Sequence, residues 1–195
     1  LVGFNTVVIS VIAGLIGGGV LGLIVQYGIM NFLARKRVTD HIPQAVATIG
    51  ISQVFVGLGS AVVGSNPRSF PSGAISFHVY ELLGIEIPRM HLVSVILAFA
   101  SLAVLDVIIF RTKTGRQIRA VAFDPEISEL LGINIERIRV WALVISTSLA
   151  GLAGSLTALT LDLSSPYLSE GMLVKGFAII VIGGMGSVRG AMIAG

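Results

Sequence analysis

The sequence predicts an all-α fold: a polytopic transmembrane helical bundle with a discontinuous or re-entrant glycine-rich segment near the C-terminal end. Three observations predict it. Apolar residues make up 54% of the 195 positions before the 24 glycines are counted, against 12% charged, about half the charged share of an ordinary soluble domain. The mean hydropathy of +0.96 leaves too few polar side chains to coat a core with water-compatible surface. The apolar residues also gather into uncharged runs long enough to cross a hydrocarbon layer of about 30 Å. Soluble enzymes and nucleic-acid binders are therefore excluded. The net charge of +3 comes from Lys and Arg set in short segments between apolar runs, not from a continuous basic face.

Each span follows from its composition. Residues 7–30 carry no charge and one amide, Gln26, and at 1.5 Å per residue exceed the membrane thickness. Residues 45–63 form the second uncharged run, after the basic triplet Arg35-Lys36-Arg37 and Pro43, a residue that breaks or starts helices. Residues 64–88 turn polar and proline-rich, and the alternation from Ile75 to Val79 suggests a short strand in an external loop. Residues 92–110, with the acid Asp106, and the uncharged 140–161 complete four spans. Beyond them Lys175 and Arg189 bracket a short run broken by Gly183, Gly184 and Gly186. Residues 172–195 are accordingly expected to be a partial or re-entrant element, since irregular backbone at membrane depth needs protein or water around it. The whole reads as one transmembrane domain. Starting at Leu1 and ending in an apolar stretch, it is expected to be a fragment truncated at both ends.

Orientation comes from the basic residues. Segments 34–43 and 111–139 hold nine of them, whereas the loop between spans two and three holds Arg68 and Arg89. The nine-residue side is expected to be cytoplasmic.

Candidate chemistry is sparse. With no Cys and three scattered His, nothing points to a disulfide, a thiol nucleophile or a metal site, and no catalytic residue is nominated. The run Gly183 to Gly190 lacks the Gly-Lys-Ser/Thr ending of a phosphate loop, so no cofactor is expected on this chain. Gly14, Gly18 and Gly22, Gly57 with Ala61, and Gly154 with Ala158 stand at helical spacing and are read as ordinary close helix packing in lipid. Asp106 and Asp162 lie near span ends, where snorkelling or local pairing accounts for them better than a proton relay does.

The informative segment is 111–139. Asp124 suits an N-cap, Pro125 the first helical position, Glu126 the first turn, and Gly132 a left-handed close. A short helix follows over 125–131, with Ile127, Leu130 and Leu131 on one face and Glu126 and Glu129 off it; Asn134 then caps the helix entering span four. Such a helix either docks in a groove of a soluble partner or lies at the lipid interface.

Thr114-Gly-Arg-Gln-Ile-Arg-Ala120, Asp124-Pro-Glu126, Leu130-Leu-Gly-Ile-Asn134, Ala150-Gly-Leu-Ala-Gly154, Gly183-Gly-Met-Gly-Ser187 and Gly190-Ala-Met192, in this order and spacing, resemble the permease subunits of bacterial ABC transporters for branched-chain amino acids. Urea and amide permeases are close relatives. The likeness is sharpest from Arg111 onward, and departs from the family pattern at Phe123, Ser128 and Arg189. It implies a multi-pass protein of the bacterial inner membrane that is not itself an enzyme. It also implies that the 125–131 helix is a coupling helix gripped by an ATPase subunit, where ATP is used. By the same carry-over Arg116, Arg119, Asp124, Glu126, Glu129, Leu130 and Gly132 form the transmission surface. The implied partners are ABC ATP-binding subunits, a second homologous or identical permease subunit, an external solute-binding protein and membrane lipid, with no nucleic acid.

The competing classes are a secondary transporter and a passive channel for a small solute. A secondary transporter places ionisable groups near mid-span, which the four clear spans lack, and a channel has no need of the capped helix. For the translocation path the hydroxyls and amide of Thr48, Ser52 and Gln53 are nominated.

Overall fold

The fold is seen in a computed structural model that describes residues 2–30, 41–64, 66, 79–82, 85–161, 165, 167–184 and 187–195. Helix α1 (Val2–Val25) continues into one π turn, Gln26–Met30. Helix α2 (His41–Val63) has Pro43 in its first turn, where the missing N–H breaks no helical bond. A two-stranded antiparallel hairpin follows, β1 (Val79–Leu82) with β2 (Ile85–Pro88), in which Tyr80 faces Ile87 and Glu81 faces Glu86. Then come α3 (Arg89–Arg111), α4 (Lys113–Phe123), α5 (Pro125–Leu130), α6 (Ile135–Leu161), α7 (Leu168–Gly183) and α8 (Val188–Ala194). The all-α transmembrane bundle holds, with the small hairpin added at the end of the loop between α2 and α3.

Among the described residues, 7–28, 91–111 and 135–161 are helical, long and apolar enough to span a membrane, and 48–62 is a shorter apolar stretch within α2. Span one therefore reaches its expected length only with its π turn. Span four starts five residues before the expected Val140, because Asn134 accepts a hydrogen bond from the Arg137 N–H at 2.9 Å and opens the helix there. The basic triplet Arg35 to Arg37, Arg68, residues 75–78 of the expected strand, and Asp162 lie outside the described residues. Val79, the last residue of that expected strand, opens β1.

The centre of the bundle is α6, whose Ile138, Leu152, Leu156 and Leu159 are buried. Helix α1 lies against it with glycines, packed on Gly151 and the small side chains of Thr147, Ser148 and Ser155. A Cβ placed on Gly14 would come 2.6 Å from the Gly151 carbonyl oxygen, and Gly18 and Gly22 abut the Thr147 backbone and hydroxyl. The glycine spacing of α1 is thus used for backbone approach, the main source of helix association where lipid removes the drive to bury apolar surface. Gly57 and Gly154, by contrast, have open space around them among the described residues. The faces away from α6 carry apolar residues such as Ile9, Ile16, Ile96 and Phe99, which suit lipid as their solvent.

The segment from 172 onward is broken as expected. Helix α7 ends where Gly184 takes φ +87, and α8 folds back so that Gly190 and Ala191 touch the backbone of Gly183. Ser187 caps α8 by accepting from the Gly190 N–H at 3.0 Å. Neither piece has the length of a span.

Candidate functional site

Two features stand out, one at each end of α6. At its N-terminal end the chain builds a compact hook. Helix α3 ends at Arg111, and Thr112 turns the chain by donating its hydroxyl to the Ile108 carbonyl while accepting from the Gly115 N–H at 3.0 Å. Gly115 is buried, and a Cβ there would collide with the Ile108 and Ile109 carbonyls. Arg119 then reaches back, donating to the Ile109 carbonyl and standing 5.0 Å above the Phe110 ring. The Thr-Gly-Arg motif is therefore a clamp that fastens α4 to the last turn of α3.

Helix α4 hands over directly to α5 through Asp124. Its N–H bonds the Ala120 carbonyl, and its carboxylate accepts from the Ile127 N–H at 3.0 Å. At the far end Ile133 N–H bonds the Ser128 carbonyl and Gly132 N–H the Glu129 carbonyl, with Gly132 at φ +79. That pair of bonds is a Schellman close. Ser128, where the family pattern favours Ala, is 3% exposed and satisfies its hydroxyl on the Asp124 carbonyl at 2.8 Å. The cap, the close and the buried serine fix the orientation of α5 without help from its apolar face. That face points outward: Ile127, Leu130 and Leu131 are 54%, 87% and 75% exposed, and Phe123 beside them 94%. Arg116, Glu126 and Glu129 surround it, all exposed.

Of the seven residues nominated for transmission, Arg116, Glu126, Glu129 and Leu130 thus belong to an exposed surface. Asp124 and Gly132 shape the helix, and Arg119 anchors α4. A hollow of about 580 Å³ beside the hook is lined by Tyr27, Asn134, Arg137 and Trp141. Val140 and the acid Glu136 complete its lining, and its two aromatics suit a membrane–water boundary.

At the other end α3, α6 and α7 enclose an open groove of about 750 Å³. Its walls are aliphatic, chiefly Ala98, Leu102, Leu149 and Leu156, with the hydroxyls of Ser94, Ser101, Thr157 and Thr160 between them and Lys175 on α7. Thr157 bridges toward α7 at 3.7 Å from the Met172 sulfur. A cation in so apolar a helix costs about 3 kcal/mol to place in a bilayer unless it is paired or hydrated. Thr48, Ser52 and Gln53 do not line this groove. They lie on α2, which makes no extended packing with the other described elements, and the Ser52 hydroxyl is turned to the Ile49 carbonyl at 2.7 Å. Sequence reasoning passed over the groove because it treated Lys175 as the edge of an apolar run instead of as a residue facing α6.

Apolar helices around a glycine seam, with an exposed amphipathic hook at one end, define a multi-pass membrane protein. The profile of the family described as branched-chain amino acid transport system / permease component matches residues 1–195. The chain belongs to that family. It is 30% identical over 199 residues to the high-affinity branched-chain amino acid transport system permease protein LivH of Salmonella typhimurium, covering 100% of this chain and 65% of the relative. It is also 30% identical to the permease protein BraD of Pseudomonas aeruginosa, over 77% of this chain and 50% of the relative. The L-arabinose ABC transporter permease protein AraH of Azospirillum brasilense is 29% identical over 95% of this chain and 51% of its own length. The chain thus spans half to two thirds of the curated relatives it matches. No solved structure matches it.

Proposed function

We propose that this chain is the membrane-spanning core of an ABC importer for branched-chain amino acids, and that α5 is the handle by which ATPase subunits drive it. The observation that carries the reading is the hook: a helix of six residues fixed at both ends by its own caps, yet presenting Ile127, Leu130 and Leu131 to solvent. An exposed apolar stripe on a rigid, charged-rimmed element is the pattern of a helix laid into a partner's groove. ATP closure of two partner subunits then shifts α5 and, through the Arg119 clamp, α3, opening and closing the path between helices. The excess of Lys and Arg in segments 34–43 and 111–139 supports a cytoplasmic position for this end of the inner-membrane bundle. ATP is bound by the partners, a second permease subunit completes the path, and an external binding protein delivers the solute. The path itself is assigned to the groove between α3, α6 and α7 in preference to the α2 residues Thr48, Ser52 and Gln53.

The test is uptake of labelled leucine by the full-length protein in proteoliposomes, with ATPase, receptor and nucleotide omitted in turn. Uptake is expected to need all three. Uptake that persists without nucleotide contradicts the reading, and uptake of a pentose in place of leucine contradicts its substrate.

A further inference from the structure

We infer that the groove between α3, α6 and α7 is a binding site for an aliphatic amino acid, with Lys175 holding the carboxylate. The inference rests on the importer reading above and deepens it.

Three observations converge on it. Lys175 is the only charged residue of α7 beyond its first turn, which holds Glu170. Among the described residues it makes no hydrogen bond or ion pair, so its ammonium keeps all three donors for a ligand. It stands about 10 Å along α7 from Leu168, on the flank that faces Thr157, Thr160 and Leu161 of α6.

The groove's other polar groups are of one kind. Ser94, Ser101, Thr157 and Thr160 each donate their hydroxyl hydrogen to a carbonyl of their own helix, at 2.7 to 2.9 Å. A hydroxyl so engaged has spent its donor and retains lone pairs. These four oxygens therefore present acceptors, which suit an ammonium, while Lys175 presents donors, which suit a carboxylate.

The rest of the wall is aliphatic, from Ala98 and Leu102 on α3 to Leu149, Leu152 and Leu156 on α6. A zwitterion with a branched hydrocarbon side chain satisfies all three sets at once. A sugar satisfies them poorly, since it has no anion for Lys175 and no hydrocarbon arm for the leucines. The volume of about 750 Å³ falls in the range of small-ligand sites.

The experiment uses the full-length transporter with its ATPase and receptor in proteoliposomes, and labelled leucine as the probe. Lys175→Met is expected to cut uptake at low leucine at least tenfold, with Lys175→Arg recovering much of it. Copurification with the ATPase subunit shows that each variant is folded and assembled. Residues 1–195 hold no cysteine, so in a full-length protein with any cysteine elsewhere replaced by serine, Ser101→Cys and Thr157→Cys are read singly. Both are expected to react with a membrane-impermeant thiol reagent added outside, and leucine with receptor is expected to slow the reaction at least threefold. Unchanged uptake by Lys175→Met overturns this inference and leaves the importer reading standing. So do two unreactive cysteines, which mean that lipid or another part of the full-length protein fills the groove. A wild-type transporter that carries no branched-chain amino acid overturns both.

Discussion

Single residues decide the geometry of the hook, and their effects are local enough to measure. Gly115 packs its Cα against two carbonyls at the end of α3, so Gly115→Val must displace backbone and not a side chain. The expected loss is about 2 kcal/mol, from the range for overpacking in a tight interior, seen as a lowered melting temperature in detergent. Gly132 has free space around it but sits at φ +79. Gly132→Val there costs about 1–2 kcal/mol of backbone strain, confined to the end of α5. Expression and melting should stay near wild type while ATP hydrolysis runs uncoupled from uptake; normal coupling would remove α5 from the transmission route. Asp124→Ala removes an N-cap, for about 1 kcal/mol, and the same coupling assay is expected to show a partial defect. These residues were legible in the sequence because caps and closes act within one turn: Asp124, Pro125, Gly132 and Asn134 carry their conformational instructions in their own side chains or lack of them. The Arg119 contact was not legible, since it joins Ile109 and Phe110 on the preceding helix.

Elements show where local reading stops. Three of the four expected runs lie in helices long and apolar enough to span, and the second is a shorter apolar stretch within α2; length and hydropathy need no partner to be read. Helix α4 was passed over inside a charged segment, although Thr112 as N-cap and the i,i+3 pair Ile118 and Val121 signal it. The π turn at Gln26–Met30 carries no such local signal. The glycines of α1, α2 and α6 looked equivalent in sequence, yet the structure separates them. Gly18 meets the Thr147 backbone, while Gly57 meets nothing among the described residues. Gly18→Leu is therefore expected to part α1 from α6 and abolish recovery of folded protein, and Gly57→Leu to leave monomer stability within about 0.5 kcal/mol. Comparable yields of the two in size-exclusion chromatography would contradict the seam. Thr48, Ser52 and Gln53 were nominated by residue type alone. Type cannot say which helix faces which, and it is α7 folding beside α6 that makes Lys175 part of a groove.

At the scale of the whole molecule, the hook and the groove lie at opposite ends of one continuous helix. Helix α6 runs from Ile135, next to the Schellman close of α5, to Leu161 at the groove. A push on α5 therefore has a rigid route to the proposed solute groove, through α6 directly and through the Arg119 clamp to α3. Of the three helices that line the groove, α3 and α6 join the hook, and α7 does not. The account stands on α5 being held from the cytosol by an ATP-hydrolysing partner. The most direct measurement is crosslinking from a photoreactive group at Leu130, which is 87% exposed, in membranes containing the assembled transporter. The expected result is an adduct with the ATPase subunit whose yield changes when ATP is added. No adduct, or access to position 130 only from the outer side of the membrane, would contradict it.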